Sequence, residues 1–215
     1  LVKIWEQIAS RFKDYDEHLL FEGMNEPRIV GGQDEWTGGT EEEREVINNL
    51  FAAFVETVRK SGGNNATRSL IITGHAAAID EKAVKGIKVP DDDHIIVSIH
   101  AYAPYSFALD QSGTSTFSDS DKSELDKNFD FLKSTFIDKG IPVIIGEFGS
   151  LNKDNMSDRV KHMEYYVSAA KARGITCFIW DNGVKDGEGA FGLLNRKDGS
   201  WYFKDIVDAA MNGLE

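Results

Sequence analysis

Five short apolar runs, each followed by a longer stretch of helical periodicity, constrain this chain more than any other feature. The runs cover residues 18–22, 69–74, 94–100, 141–147 and 175–181. They are continuous rather than alternating, the pattern of strands buried on both faces of a parallel sheet. Between them, apolar residues return at intervals of three and four. The clearest stretch is 41–60, where Val46, Leu50, Phe54, Val55 and Val58 share a side and Thr40 stands at the N-cap position. Residues 121–139, 158–173 and 201–211 repeat the pattern, and a shorter helix is expected near 79–85. The opening LVKIWEQIASRF places Val2, Trp5, Ile8, Ala9 and Phe12 on one side of a further helix. Gly62, Gly140 and Gly174 follow three of these stretches, where a helix commonly ends. One helix and then five strand–helix units predict an α/β fold around a parallel sheet. No linker, repeat or low-complexity tract divides the chain, so residues 1–215 read as one domain.

Charge and cysteine usage remove several classes of function. The chain carries 24 Lys and Arg against 36 Asp and Glu, a net charge of −12. Phosphate backbones and anionic membrane surfaces would be repelled, so neither nucleic acid nor membrane is an expected partner. Cys177 is the only cysteine, which excludes an internal disulfide and leaves no zinc spacing; its place inside the last run suits inert core. Asp91–Asp93 lacks the spacing of a calcium loop and reads as a solvated turn, and no metal or cofactor is expected. No GxGxxG follows the first run. A flavodoxin-like domain would need a phosphate-cradling loop there, where the sequence is NEPRIVGG. Asn65-Ala-Thr and Asn155-Met-Ser match glycosylation sequons, which matter only in a eukaryotic secretory host.

The chemistry concentrates at two strand ends. LLFEGMNEPR, residues 19–28, brings Glu26 just past the first run, and IPVIIGEFGS, residues 141–150, brings Glu147 to the end of the fourth. A single acid there reads as a capping or salt-bridge residue; two, each beside a Gly or Pro turn, point to paired carboxylates. Such a pair suits glycosidic bond cleavage, and the retaining mechanism wants the two groups about 5–5.5 Å apart. In an open sheet, strands three apart at about 4.8 Å each would hold them roughly 14 Å apart. In a closed barrel, inward-leaning side chains meet over the mouth. Two-acid chemistry therefore favours a barrel.

The strings EGMNEPR, SIHAYAPYSFA, IIGEFGS and FIWDNG resemble glycoside hydrolase family 5, and within it the cellulase subgroup of anaerobic bacteria and rumen fungi. The loop EWTGGTEEER and the tail FGLLNRKDGSWYFKDIVDAAM are similar to the same subgroup, so the likeness runs over nearly the whole chain. The resemblance implies a (β/α)8 TIM-barrel type of α/β fold, with only five βα units, barrel strands 4–8, in this chain. It implies Glu26 as general acid/base and Glu147 as nucleophile. It implies that Asn25 hydrogen-bonds the sugar 2-hydroxyl, that His100 and Tyr102 line the cleft, and that Tyr102 orients Glu147. Trp180 would stack on the sugar before the scissile bond, and Trp36 would be a second sugar platform. The implied reaction is retaining endo-hydrolysis of β-1,4-glucan, without metal or cofactor, by a secreted enzyme.

Each of these residues also has a structural reading. Asn25 can cap a turn, His100 can be a core histidine, Trp180 can be core, and Trp36 can staple its own loop. His75 and Asn182 stand at strand ends and could face the cleft. A xyloglucanase, mannanase or lichenase specificity, or a non-catalytic glucan-binding fragment, is the alternative function. The family's first three strands, with an arginine and a histidine of its site, have no counterpart here. The expectation is a chain entered partway through, one that pairs with an N-terminal half-barrel, or one that self-associates through exposed sheet edges.

Overall fold

The structure is a computed structural model describing residues 1–215. The chain forms two compact units, Leu1–Ile99 with Gly140–Pro142 and His100–Lys139 with Val143–Glu215.

The first unit holds α1 (Val2–Phe12), β1 (Phe21–Glu22), α2 (Glu41–Lys60), β2 (Leu70–Ile72), α3 (Glu81–Lys85) and nearly all of β3 (Ile95–His100). Its strands pair in parallel, Phe21 opposite Leu70 and Leu70 opposite Ile95. Only two residues of the expected run 18–22 are strand. The cause is Arg68, whose buried guanidinium takes the carbonyls of Phe12, Tyr15, Asp16 and Leu19, so the chain before Phe21 bonds to a side chain instead of a neighbouring strand.

α2 starts where expected, on a reciprocal cap. Thr40 Oγ1 accepts from the Glu43 amide at 3.2 Å, and the Glu43 carboxylate accepts from the Thr40 amide at 2.6 Å. Its inward face is rotated from the expected one: Val46 is exposed, and Ile47, Phe51, Phe54, Val55 and Val58 are buried. The aromatic pair decides this, because burying two phenyl rings outweighs burying one valine. Trp5 of α1 packs its ring 4.5 Å from Phe54 and 5.4 Å from Phe21, and its Nε1 donates to the Gly23 carbonyl at 3.2 Å. Truncating the buried Phe54 removes the centre of this cluster. Phe54→Ala is expected to lower unfolding free energy by about 3–5 kcal/mol in urea titrations followed by circular dichroism.

The second unit holds α4 (Tyr105–Ala108), α5 (Asp119–Thr135), β4 (Val143–Phe148), α6 (Met156–Lys171), β5 (Thr176–Ile179) and α7 (Lys204–Asn212). β4 and β5 pair in parallel, Ile144 opposite Thr176, and the Ala101 amide after β3 donates to the Glu147 carbonyl at 2.9 Å. Three expectations shift. The long loop 103–120 contains α4, a single turn opened by Pro104. α5 stops at Thr135, and Ile137–Lys139 form a separate 3-10 turn. The last helix starts at Lys204, because Trp201 pairs with Leu194 in an antiparallel bridge. β5 also departs from the both-faces-buried expectation. Phe178 is 53% exposed, since β5 is the last strand and pairs on one edge only.

The core of this unit is aromatic. Phe148 stacks on Tyr166 at 4.2 Å, and the Tyr166 hydroxyl donates to the Ala101 carbonyl at 2.8 Å. His162 is fully buried beside Phe107, Phe117 and Tyr166, with Nε2 2.9 Å from the Ala103 carbonyl. Burial disfavours its charged form and pulls its pKa down from the ordinary 6.5 to about 4. Between these values the unfolded chain binds a proton that the folded one refuses, so acidification costs stability there. Stability is expected to fall as pH drops from about 6.5 to about 4, and His162→Gln to flatten that slope in pH-dependent denaturation curves.

Candidate active site

In the first unit, the loop after β1 gathers charge around one arginine. Arg28 Nη1 donates to the Glu26 carbonyl at 2.9 Å and lies 3.3 Å from Glu26 Oε2. Its Nε donates to Glu35 Oε1 at 2.9 Å, and its guanidinium lies 4.3 Å from the centre of the Trp36 ring. Glu35 also accepts from the Gly31 amide at 2.7 Å. The Arg28 hydrogen bond, then that amide, hold the Glu35 carboxyl below its usual range. Glu26, Arg28 and Trp36 therefore form one group, with Trp36 61% exposed above its cation. Asn25 is exposed at the preceding turn.

The rest of the loop is clamped from below. Arg44 Nη1 donates to the Gly38 and Gly39 carbonyls. His75, just past β2, is buried rather than facing a cleft, and its Nε2 is 4.0 Å from Glu43 Oε2. Neither ring nitrogen has a hydrogen-bond partner, and burial holds its pKa below the ordinary histidine value. Ala76 and Ala77 follow with positive φ of 52° and 51°. That conformation costs roughly 1–2 kcal/mol per residue. It lets the Ala76 amide reach the Pro27 carbonyl at 3.0 Å, fixing the chain beside Glu26. Gly39 is required here. Its φ is +65°, and an added Cβ would stand 2.3 Å from the His75 ring. Gly39→Ala is expected to destabilise the chain by more than about 1 kcal/mol in urea unfolding, with Trp36 emission changing first.

In the second unit, β3 ends and β4 brings three side chains together. Tyr102 donates its hydroxyl to Glu147 Oε2 at 2.7 Å. The buried His100 places Nδ1 3.6 Å from the same oxygen. Tyr102 is held edge-on by Phe191 at 5.5 Å. Trp180 follows β5, 42% exposed, with its amide bonded to the Phe148 carbonyl at 2.8 Å. Asn182 supports its own loop. Its Oδ1 accepts from Val184 at 3.0 Å and Phe191 at 3.2 Å, and its Nδ2 donates to the Gly189 carbonyl at 2.8 Å. Asp181 does the same for Leu193 and Leu194.

Arg28, Glu35 and Asp181 were not singled out from sequence. The available signal for Arg28 was its place two residues after Glu26, in a loop otherwise rich in glycine and acid.

The family model for cellulase (glycosyl hydrolase family 5) matches residues 1–186. Endoglucanase 1 of Ruminococcus albus is 53% identical over 207 residues, 95% of this chain and 50% of that protein. Among solved structures, the GH5-4 broad specificity endoglucanase from Clostridium acetobutylicum superimposes with a TM-score of 0.96 at 44% identity, over 98% of this chain and 65% of that one. The corresponding Ruminococcus champanellensis enzyme, solved with bound cellotriose, gives 0.94 at 48% identity, over 98% of this chain and 62% of that one. The chain spans about half the length of the curated relatives it matches. Its five parallel strands have the fold of part of a (β/α)8 barrel, and with those residues matched the chain belongs to glycosyl hydrolase family 5.

Proposed function

We propose that this chain carries the two catalytic carboxylates of a retaining endo-β-1,4-glucanase. The observation that carries the reading is Glu147, an acid at the end of a parallel strand whose Oε2 accepts a 2.7 Å hydrogen bond from Tyr102 in a family 5 chain. A carboxylate held by a hydroxyl donor is kept aimed, as a nucleophile needs.

In the proposed cycle Glu147 attacks the anomeric carbon, and Glu26, protonated, gives its proton to the departing glycosidic oxygen. Glu26, now a base, takes a proton from water, which attacks the glycosyl ester and releases Glu147. The mechanism requires the two carboxyl groups about 5–5.5 Å apart. Asn25 holds the sugar 2-hydroxyl, and His100 closes the side of the nucleophile. Trp180 and Trp36, both exposed, offer flat faces to the CH-rich faces of β-linked glucose. The substrate is a polymeric β-glucan, which places the working enzyme outside the cell. No helix is long and apolar enough to cross a membrane. A wider glycan range is favoured by one observation: the similar Clostridium acetobutylicum structure is described as broad specificity.

Reducing-sugar release from soluble mixed-linkage β-glucan tests the reading. Glu147→Gln and Glu26→Gln are each expected to lower the rate by at least about 100-fold. Proton NMR of the first product is expected to show the β-anomer before mutarotation. Equal activity in Glu147→Gln and the parent would remove Glu147 as nucleophile, and an initial α-anomer would remove retention.

A further inference from the structure

We propose that Arg28 is a positioning residue for Glu26, fixing which carboxyl oxygen carries the proton and tying that oxygen to the Trp36 platform. The inference rests on Glu26 being the acid/base. β1 ends at Glu22, so Glu26 sits four residues out on a loop and its side chain needs an external anchor. Arg28 supplies one. Its Nη1 bonds the Glu26 carbonyl at 2.9 Å and faces Oε2 at 3.3 Å. A donor facing Oε2 leaves that oxygen as acceptor in both protonation states, so the proton of the neutral acid belongs on Oε1. The same contact persists when Glu26 becomes the base, which suits a group that changes role within one turnover.

Glu35 makes this contact usable. Arg28 brings a full positive charge 3.3 Å from Glu26 Oε2. Glu35 Oε1 accepts from Arg28 Nε at 2.9 Å and offsets that charge. The guanidinium plane is then fixed from three directions, with Trp36 on its face at 4.3 Å. A sugar stacked on the exposed side of Trp36 would press on the same rigid assembly. Lysine could supply the charge but could not bridge Glu26 and Glu35 with separate planar donors.

The test compares the parent with Arg28→Gln, Arg28→Lys and Glu26→Gln on two substrates. Cellotetraose needs its leaving oxygen protonated, whereas 2,4-dinitrophenyl β-cellobioside does not. Arg28→Gln is expected to lose about 10- to 100-fold in kcat/KM on cellotetraose and to stay within about threefold on the dinitrophenyl substrate. Arg28→Lys should recover only part of that loss. An equal fall on both substrates, as from simple loosening of the loop, or no fall on either, overturns the proposal alone if Glu26→Gln remains selective. If Glu26→Gln spares cellotetraose, the acid/base assignment itself fails, and the proposal with it. A second readout needs no turnover. In proton–nitrogen NMR, the Arg28 Nε–H should resist solvent exchange, lose that protection in Glu35→Gln, and shift in Glu26→Gln. An Arg28 signal indifferent to both substitutions also overturns the proposal.

Discussion

One buried guanidinium holds together what backbone pairing cannot. β1 contributes two residues to the sheet, too few to fix the loop that follows. Arg68 compensates by drawing in carbonyls from Phe12, Tyr15, Asp16 and Leu19, with its Nε on Asn65 Oδ1 at 2.7 Å and its plane 4.8 Å from the Phe21 ring. A charge in that position is tolerated because nearly every donor is matched. Asn65 then reaches the Ala9 carbonyl at 2.8 Å, so α1, the chain before β1 and the chain before β2 share one polar knot. The register of Glu22, and through it the direction in which the Glu26 loop leaves the sheet, depends on that knot.

Beyond the strand ends, the loops gain order from short, local devices. Residues 34–44 are closed by a reciprocal helix cap, by Arg44 on two glycine carbonyls, and by the His75 ring under Gly39. Residues 181–194 are closed by the side chains of Asp181 and Asn182, which mimic backbone turns. Both loops carry an exposed tryptophan at or beside the clamped segment. Rigid loops of this kind present flat faces without losing much conformational freedom on binding.

Much of this was legible in the sequence. The five apolar runs appear as five parallel strands, and the capping box at Thr40 follows from its spacing to Glu43. Glu147 stood out as an acid at a strand end, and its pairing with Tyr102 was implied by the resemblance that IIGEFGS and SIHAY carry. What stayed hidden was the work of arginines. Periodicity ranks side chains by apolarity, and it treats Arg28 and Arg68 as surface. Their partners are carbonyls and loop acids up to 56 positions away, invisible to any local pattern. The rotation of α2 was hidden for a related reason. Val46 and Ile47 are equally apolar neighbours, and only the packing of Phe51 and Phe54 decides between them. Asn182 resolves as loop support, and His75 as a buried ring whose neighbours come from α2 and the loop before it.

The single thiol has a practical meaning for handling the protein. Cys177 is half-buried on β5, and desolvation pushes its pKa up to about 12. Almost no thiolate exists at neutral pH, so the native sulfur is a poor nucleophile toward maleimides and oxidants. A cysteine introduced on an exposed loop would stand out against that silent background. One fluorophore or spin label could therefore be placed at a chosen site with the wild-type sulfur left in place.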